Sequence, residues 1–551
     1  MTRRSWLENR YEKLPLIQRS VLLSSREPKE RFSIVEMKKH NGRMFSPLYF
    51  LTVIVTTLGA STQFYNYGIV NPEQELLTEW INETYANRNH GVGLSETQLN
   101  LFWSFTVSSI AVGAIVGASL TRLAAEKAGR RNALILNGVV NVVASLMELT
   151  AKFFASPELL IVGRLVLGAC MGLTTGLVPM YLMEITPSRY RGAAGTFHQV
   201  AVAFSDWFSL FMGLPEILGS KRLWPIAFGF SGLPALILVL ILPFCPESPK
   251  YLLVSKGERE KSKLALNKLV SSDEAKTMFE QMIKEAALSQ EGLGTYRELF
   301  TRRELRIPLI VSITVMFAQQ FTGCSAVFAF STDMFINAGV TSQSARFATL
   351  AVGIAYFLFA CSAPFLIERL GRRKLSLFQL FFVTISLTIL SAFTYLQSLT
   401  QSKFMAYGSI ISLVTYMCVY GVGSPIAWMI TSELFETKFR SAAVTLAVFI
   451  SWSLSFVIST CYLPFQQLVG ISFSFLPFIA LSTVFTVLIY FLLPETQHKP
   501  TAEVIEEIRF RAASVSQGHP FRSVPQNISD ETQSLISDSD YSYHRYMSIT
   551  G

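Results

Sequence analysis

Twelve apolar runs, each near the length of one bilayer crossing, follow one another along this chain: roughly 48–70, 100–122, 132–154, 159–182, 193–214 and 223–244, then 307–336, 346–367, 375–397, 404–430, 441–464 and 471–493. A hydrocarbon core about 30 Å thick takes about 20 apolar residues per helix. Only helices or closed barrels satisfy their backbone groups there. The pattern therefore predicts an all-α integral membrane protein with twelve transmembrane helices. Only 15% of the residues are charged, against about 25% in soluble domains. A soluble enzyme, a disordered scaffold and a single-span receptor are excluded. A net charge of +9 suggests nucleic acid in a soluble chain. Here the basic residues gather at the ends of the apolar runs, the arrangement that orients chains in bilayers. The lipid bilayer is the partner expected, and nucleic acid is not.

The runs form two groups of six, separated by roughly 60 polar residues at 246–306. Residues 256–268 and 272–288 mix Lys and Glu with apolar residues at helical spacing, which predicts short surface helices. The domain reading is an N-terminal tail (1–46), a first half (47–245), the linker (246–306), a second half (307–494) and a C-terminal tail (495–551), mostly disordered. Glu184-Ile-Thr-Pro-Ser-Arg-Tyr-Arg191-Gly-Ala-Ala is echoed by Glu433-Leu-Phe-Glu-Thr-Lys-Phe-Arg440-Ser-Ala-Ala. Gly129-Arg130-Arg131 is echoed by Gly371-Arg372-Arg373, and Pro246-Glu247-Ser248 by Pro494-Glu495-Thr496, at an offset of about 245 residues each time. Two parallel six-helix halves with a site near the midplane between them are the architecture of rocking transporters.

Lys127, Arg130, Arg131, Arg189, Arg191, Arg369, Arg372, Arg373, Lys374, Lys438 and Arg440 fall on one side, with Lys221 and Arg222 a minor exception. Both termini and the linker are therefore expected in the cytoplasm. The long outer loop carries the sequon Asn82-Glu83-Thr84, a candidate glycan acceptor. A second sequon, at Asn527, lies in the cytoplasmic tail. The first run begins near Leu48, too far in for a cleavable signal peptide, so the first span is retained. The six cysteines form no CxxC pair, so neither a disulfide framework nor a metal site is expected. No ATP-binding loop is present, and no cofactor or covalent chemistry is expected.

Glu184 and Arg191 share a helix face if the helix continues through Pro187, although that proline favours a turn. Acids and arginines repeated at the inner ends of both halves suggest ion pairs across the half–half interface that close the inside. Anchoring to lipid headgroups is the plainer alternative. Arg164 is placed near the inner start of the fourth span, and Glu148 is paired with Lys152 one turn on.

In the interior, Gln199 and Asp206 are seven residues apart in the fifth span and share a face. Gln319, Gln320, Thr322 and Ser325 surround Gly323 in the seventh. In the tenth, Gly421-Val-Gly423-Ser424-Pro425 is expected to interrupt the helix just before Trp428. Ser451, Trp452 and Ser455 fall in the eleventh. Amides and hydroxyls both donate and accept, which suits a neutral polyhydroxylated ligand, and a Trp ring offers a flat apolar surface. Helix–helix glue is the alternative use of the same residue types. Asp206 is the oddity, because an isolated charge at that depth costs at least about 2.5–3.5 kcal/mol. Two outcomes compete. Asp206 hydrogen-bonds substrate or its neighbours Ser205 and Ser209 as the neutral acid, or its protonation changes with each cycle.

With these stretches in view, the chain resembles the facilitative glucose transporter family, in the sugar porter branch of the major facilitator superfamily. The resemblance covers about residues 45–500. It is carried by Gly129-Arg-Arg-Asn, Gly163-Arg164, Gly172-Leu-Thr-Thr-Gly-Leu-Val-Pro-Met-Tyr181, Glu184 to Arg191, His198-Gln199, Pro246-Glu-Ser-Pro-Lys-Tyr-Leu-Leu253, Gln319-Gln320, Glu368-Arg-Leu-Gly-Arg-Arg-Lys374, Glu433 to Arg440 and Pro494-Glu-Thr496. The resemblance implies that Gln199, Gln319, Gln320 and Trp428 contact sugar. It also implies that Glu184, Arg191, Glu433, Arg440, Arg130, Arg131, Arg372, Arg373 and Glu247 form a cytoplasmic charge network.

Departures from the family pattern bear on the substrate. The family's Asn after the seventh-span glycine is Ser325, its paired tyrosines are Ala329 and Phe330, and its Gln-Leu-Ser is Met316-Phe317-Ala318. Its Gly-Pro-Gly-Pro-Ile-Pro reads Val422-Gly-Ser-Pro-Ile-Ala427, a sugar-contacting Asn becomes Ser451, and an apolar position becomes Asp206. The reading is a uniporter that moves a hexose or related polyol by alternating access. The alternatives are a proton-coupled symporter and a non-transporting sensor on the same fold. The location is expected to be the plasma membrane, with endosomal or lysosomal membrane the alternative. Glu12-Lys-Leu-Pro-Leu16-Ile17 and Glu531-Thr-Gln-Ser-Leu535-Ile536 resemble acidic dileucine signals for sorting adaptors.

Overall fold

The computed structural model describes residues 44–288, 295–435, 437–497, 503–508 and 511. Both dileucine patterns and the Asn527 sequon lie outside the described residues. Among the described residues, eleven helical segments are long and apolar enough to cross a membrane: Pro47–Gly68, Glu96–Lys127, Arg130–Thr150, Pro157–Ile185, Trp224–Phe244, Glu304–Asn337, Ser342–Leu370, Arg372–Thr400, Phe404–Leu434, Phe439–Val469 and Ile471–Leu492. The helix Arg191–Met212 fills the fifth place in the order and completes the twelve. Its polar interior residues His198, Gln199 and Asp206 make it less apolar than its neighbours. In order these are the first to twelfth spans. The linker lies at what we term the linker face, and the opposite ends form the far face.

The helix starts follow from local chemistry. Ser46 accepts from the Tyr49 N–H ahead of Pro47, Ser95 and Gln98 form a reciprocal capping box, and Ser156 caps the fourth span ahead of Pro157. Each satisfies amide groups that have no partner inside the helix. The third and ninth spans use a different device. Gly129 (φ 91) and Gly371 (φ 83) turn the chain in a conformation that favours glycine. A carboxylate from a distant segment then takes the capping role. Glu247 Oε1 accepts from the N–H groups of Arg130 (3.0 Å) and Arg131 (2.9 Å). Glu495 does the same for Arg372 (2.8 Å) and Arg373 (3.2 Å). A negative charge at a helix N-terminus also suits the helix dipole.

Small residues set the packing inside each half. A Cβ added to Gly113 or Gly117 in the second span would lie 1.9 Å from a fourth-span carbonyl oxygen. Gly168 and Gly172 approach the second span as closely, at 2.0 and 2.1 Å. In lipid, backbone proximity of this kind replaces the hydrophobic drive for association. Large apolar side chains such as Phe50, Leu136, Leu240, Phe365 and Phe381 point outward, toward the lipid.

Four of the described spans are interrupted, the sixth at Phe230–Ser231 and the twelfth at Phe475 among them, and the tenth is not. The first unwinds through the 3₁₀ turn Thr62–Phe64. The seventh breaks at Gly323 (φ 82), between Arg303–Phe321 and Cys324–Asn337, and again departs from helix at Phe330. The break expected in the tenth span is absent, because its helix runs through Pro425 from Lys403 to Leu434. Its glycines serve close packing instead. A Cβ at Gly421 would meet Tyr356 O at 2.9 Å, and one at Gly423 would meet Gln379 Oε1 at 2.2 Å. The linker forms the helices Pro249–Val254, Arg259–Leu269, Ser272–Leu288 and Tyr296–Thr301, close to the expected surface helices. After the last span, residues 503–508 form one further helical turn. Val504 and Ile508, one turn apart, are buried against the second half.

Candidate functional site

Where the halves meet, the predicted polar residues form a connected group. Gln320 donates to Ser451 Oγ (2.7 Å) and accepts from Ser325 Oγ (2.9 Å). Ser325 and Ser455 share a bond at 2.9 Å, and the Tyr67 hydroxyl of the first half reaches Ser455 at 3.1 Å. Gln319 donates to Tyr420 Oη (2.9 Å) and accepts from Gln379 Nε2 (3.1 Å). Gln199 crosses from the fifth span to Tyr356 Oη in the eighth (3.1 Å). Trp428 and Trp452 pack together with Phe64 and Tyr67. The glycine break places Gln319, Gln320 and Ser325 side by side, because a continuous helix would turn Ser325 away.

Tyr67, Tyr356, Tyr420 and Gln379 were not anticipated. Tyrosines inside apolar runs look like core residues until their hydroxyl partners are known, and those partners sit on other helices. Together with Phe328 the three tyrosines build an aromatic wall. Phe328 lies 5.2 Å from Tyr356 and 5.9 Å from Tyr420, Tyr356 lies 5.9 Å from Tyr420, and Tyr67 lies 6.4 Å from Phe328 (ring centroids).

Asp206 is 5% exposed. It lies against the first span, where a Cβ on Gly68 would come within 2.6 Å of Oδ1, and within electrostatic range of Tyr356. Its neighbours do not bond the carboxylate as expected. Ser205 Oγ donates to Ala201 O and Ser209 Oγ to Asp206 O, since serines in helices readily bond the carbonyl one turn back.

Two matching charge networks stand at the linker face. Arg130 pairs with Glu184 at 2.9 Å, and Glu184 also accepts from Ser248 Oγ. Arg372 pairs with Glu433 at 3.3 Å, and Glu433 also accepts from Thr496 Oγ1. Arg191 Nε and Arg440 Nε each reach a carbonyl five residues back, Thr186 O and Phe435 O. Arg131 reaches Cys245 O and Arg373 reaches Tyr490 O. The pairs made by Glu184 and Glu433 thus lie within each half, not across the interface. The chain turns at Ser188–Tyr190 between the fourth and fifth spans, so Glu184 meets the arginine of another span. Ser248 and Thr496 complete these networks and were not anticipated as members.

The far face is joined across the halves. Asn71 donates to Phe328 O and Ser331 Oγ, both at 2.7 Å, and accepts from the Thr332 N–H at 3.0 Å. Glu75 accepts from Arg346 and Ser342, both at 3.0 Å. Glu73, beside this junction, is 1% exposed, and both its oxygens lack a partner among the described residues. Burial pushes its carboxyl well above the usual carboxylate range, with Arg346 pulling weakly the other way.

Three further placements differ from expectation. Arg164 stands near the far-face start of the fourth span, binding Thr106 O (2.9 Å) and Asn66 O (3.1 Å). Glu148 packs against Gly163 beside it, while Lys152 donates to Lys221 O. Asn82 lies within the helix Gln74–Arg88, where its side-chain oxygen accepts from Leu94 N–H at 2.8 Å, and Thr84 is buried.

Twelve spans in two matching halves, with a polar group between them, define a membrane carrier of the major facilitator type. The sugar (and other) transporter family matches residues 52–508, and the chain belongs to that family of multi-pass membrane proteins. It is 32% identical over 508 residues to the facilitated glucose transporter member 1 of solute carrier family 2 from Gallus gallus, covering 91% of this chain and 99% of that relative. To member 3 from Homo sapiens it is 33% identical over 461 residues, covering 83% and 92%. Among solved structures, the xylose transporter XylE from E. coli in a partially occluded inward open conformation matches with a TM-score of 0.67 at 21% identity, over 82% of this chain and 100% of that one. The proton:xylose symporter XylE bound to 6-bromo-6-deoxy-D-glucose matches at 0.69 and 20%, over 84% and 99%. These two matches speak for the fold.

Proposed function

We propose that this protein is a facilitative carrier that moves a hexose or related polyol down its gradient by alternating access. The supporting observation is the hydrogen-bonded chain of one amide and four hydroxyls, Ser451–Gln320–Ser325–Ser455–Tyr67, which spans both halves where they meet. Each of these groups bonds another side chain, and a hydroxyl-rich ligand can take over those bonds one for one. Gln199, Gln319, Trp428, Trp452 and Asp206 border the same region. The names of the relatives above, facilitated glucose transporters, point the same way. The Asn71 and Glu75 bonds hold the far face shut, while the Glu184 and Glu433 networks bind within each half at the linker face.

The distribution of basic residues favours a cytoplasmic linker and cytoplasmic termini, and the plasma membrane is the proposed location. Since the sequon folds into a helix, a glycan on Asn82 has to be added before that helix docks. The test is counterflow of labelled hexose in proteoliposomes, with wild type and Gln320→Leu. Losing one well-paired bond costs about 0.5–1.5 kcal/mol, roughly 2- to 13-fold in affinity. Counterflow without a pH gradient, weakened by that factor in the variant, is the expected result. No counterflow of any hexose or polyol makes the protein a sensor. The unpartnered Asp206 favours one second reading, proton-coupled symport. Concentrative uptake that a protonophore abolishes, and that Asp206→Asn lacks, would establish it.

A further inference from the structure

The ligand group proposed above accounts for the amides and hydroxyls but not for the aromatic wall or for Asp206. Four rings, Tyr67, Phe328, Tyr356 and Tyr420, stand edge or tilted to one another with centroids 5.2–6.4 Å apart, at the meeting of the halves. The hydroxyls of Tyr356 and Tyr420 are held by Gln199 and Gln319, which fixes the orientation of those rings. Tyr67 and Phe328 are only half-buried although Tyr67 bonds across the interface, so their free surface faces the space between the halves. Asp206 completes the arrangement. Its carboxylate, 5% exposed, lies between Gly68, the neighbour of Tyr67, and the eighth span that carries Tyr356. Among the described residues none donates a hydrogen bond to it or pairs with it, and its adjacent serines bond backbone oxygens.

A neutral sugar can donate hydroxyl hydrogen bonds to such a carboxylate but leaves its charge without a counter-ion, and it uses ring faces only for its C–H surface. Aromatic rings attract a cation through their negative faces, and a buried carboxylate at this depth is unfavourable until a cation joins it. Hydroxyl-binding amides, an aromatic wall and an unpaired carboxylate together call for a ligand with both hydroxyls and a positive charge. We propose that the preferred substrate is a protonated amino sugar, its ammonium held by Asp206 and the aromatic wall and its hydroxyls by the Gln320 group. This rests on the carrier reading above and narrows its substrate.

The experiment compares glucosamine with two neutral probes, glucose and N-acetylglucosamine, at about pH 6, more than one unit below the α-amino range of about 7.7–8.0. Purified full-length protein is tested for ligand-induced thermal stabilisation, and proteoliposomes for counterflow, each with wild type, Asp206→Asn and Tyr356→Leu. A preference of about tenfold or more for the amino sugar is expected. Asp206→Asn should abolish the preference for the amino sugar over the two neutral probes, and Tyr356→Leu should reduce it. Equal handling of the three sugars, or a preference that survives Asp206→Asn, overturns the proposal while leaving the hexose carrier reading intact. Stabilisation by glucosamine without any counterflow upholds the ligand and overturns transport. Absence of both stabilisation and counterflow with glucosamine overturns the inference, whatever the neutral sugars do.

Discussion

Glu73 shows how much one side chain decides. It precedes the far-face helix Gln74–Arg88, yet its carboxyl is buried without a partner among the described residues. Burial raises its pKa above the ordinary value of 4.5. The folded state therefore holds its proton to higher pH than the unfolded chain does. Stability from this group is greatest in acid, and falls as pH rises from the ordinary carboxylate range through the raised folded value. Glu73→Gln keeps the shape and removes the ionisation. It should raise the melting temperature of the purified protein at about pH 8 and change little near about pH 4. Equal shifts at both pH values would show that Glu73 is ionised and solvated in the fold. At the same scale, Gln320, Ser325 and Ser451 were legible as polar residues in apolar runs. Their mutual bonding was not, because each sits on a different helix or on the other side of a break.

At the scale of the element, the second and fourth spans approach backbone to backbone at four glycines, Gly113, Gly117, Gly168 and Gly172. A Cβ on Gly113 would stand 1.9 Å from Leu165 O, and one on Gly168 2.0 Å from Ile110 O. The obstacle is backbone, so no side-chain rearrangement relieves it. Overpacking of a tight contact costs about 1–3 kcal/mol, and here both helices have to move apart. Gly113→Val is expected to lower thermal stability by at least that amount and to reduce the yield of monodisperse protein. Gly257→Ala, at a linker glycine with nothing within 4 Å of its Cβ (φ 69), should show only a mild backbone effect. Similar melting temperatures for wild type and Gly113→Val would mean that the two helices are not in contact as described. The repeat is also read at this scale. Gly129 and Gly371, with Glu247 and Glu495 capping the helices that follow, were visible as echoed motifs. That the glutamates bind backbone N–H groups became clear only with both segments in place.

Across the whole molecule, the balance between open and closed rests on the two faces. Asn71 makes three hydrogen bonds across the halves, each contributing about 0.5–1.5 kcal/mol. The Glu75–Arg346 pair is half solvated, with side-chain exposures of 51% and 21%, and such pairs contribute about 0–1 kcal/mol. Asn71 is thus the stronger latch. Asn71→Ala should raise the labelling of an engineered far-face cysteine by an impermeant reagent several-fold, and Arg346→Ala should raise it far less. The opposite order would place the latch in the ion pair. The linker-face networks bind within the halves, so Arg130→Ala with Arg372→Ala is the pair that loosens them.

The sequence by itself determined the number of spans, the division into halves and the identity of most polar residues in the interior. Hydropathy and a repeated motif are properties of consecutive residues, and lipid permits few folds that satisfy them. Only the tertiary structure decided which charges pair, because Glu184 meets Arg130 from another span and not Arg191 from its own segment. It likewise decided that the tenth span stays whole while the seventh breaks. The glycine at the seventh-span break has a positive φ, whereas those of the tenth accept the close approach of the eighth and ninth spans. Tyr356 and Tyr420 became part of the site for the same reason: their hydroxyl partners stand on other helices, 157 and 101 residues away along the chain, and no local pattern records them.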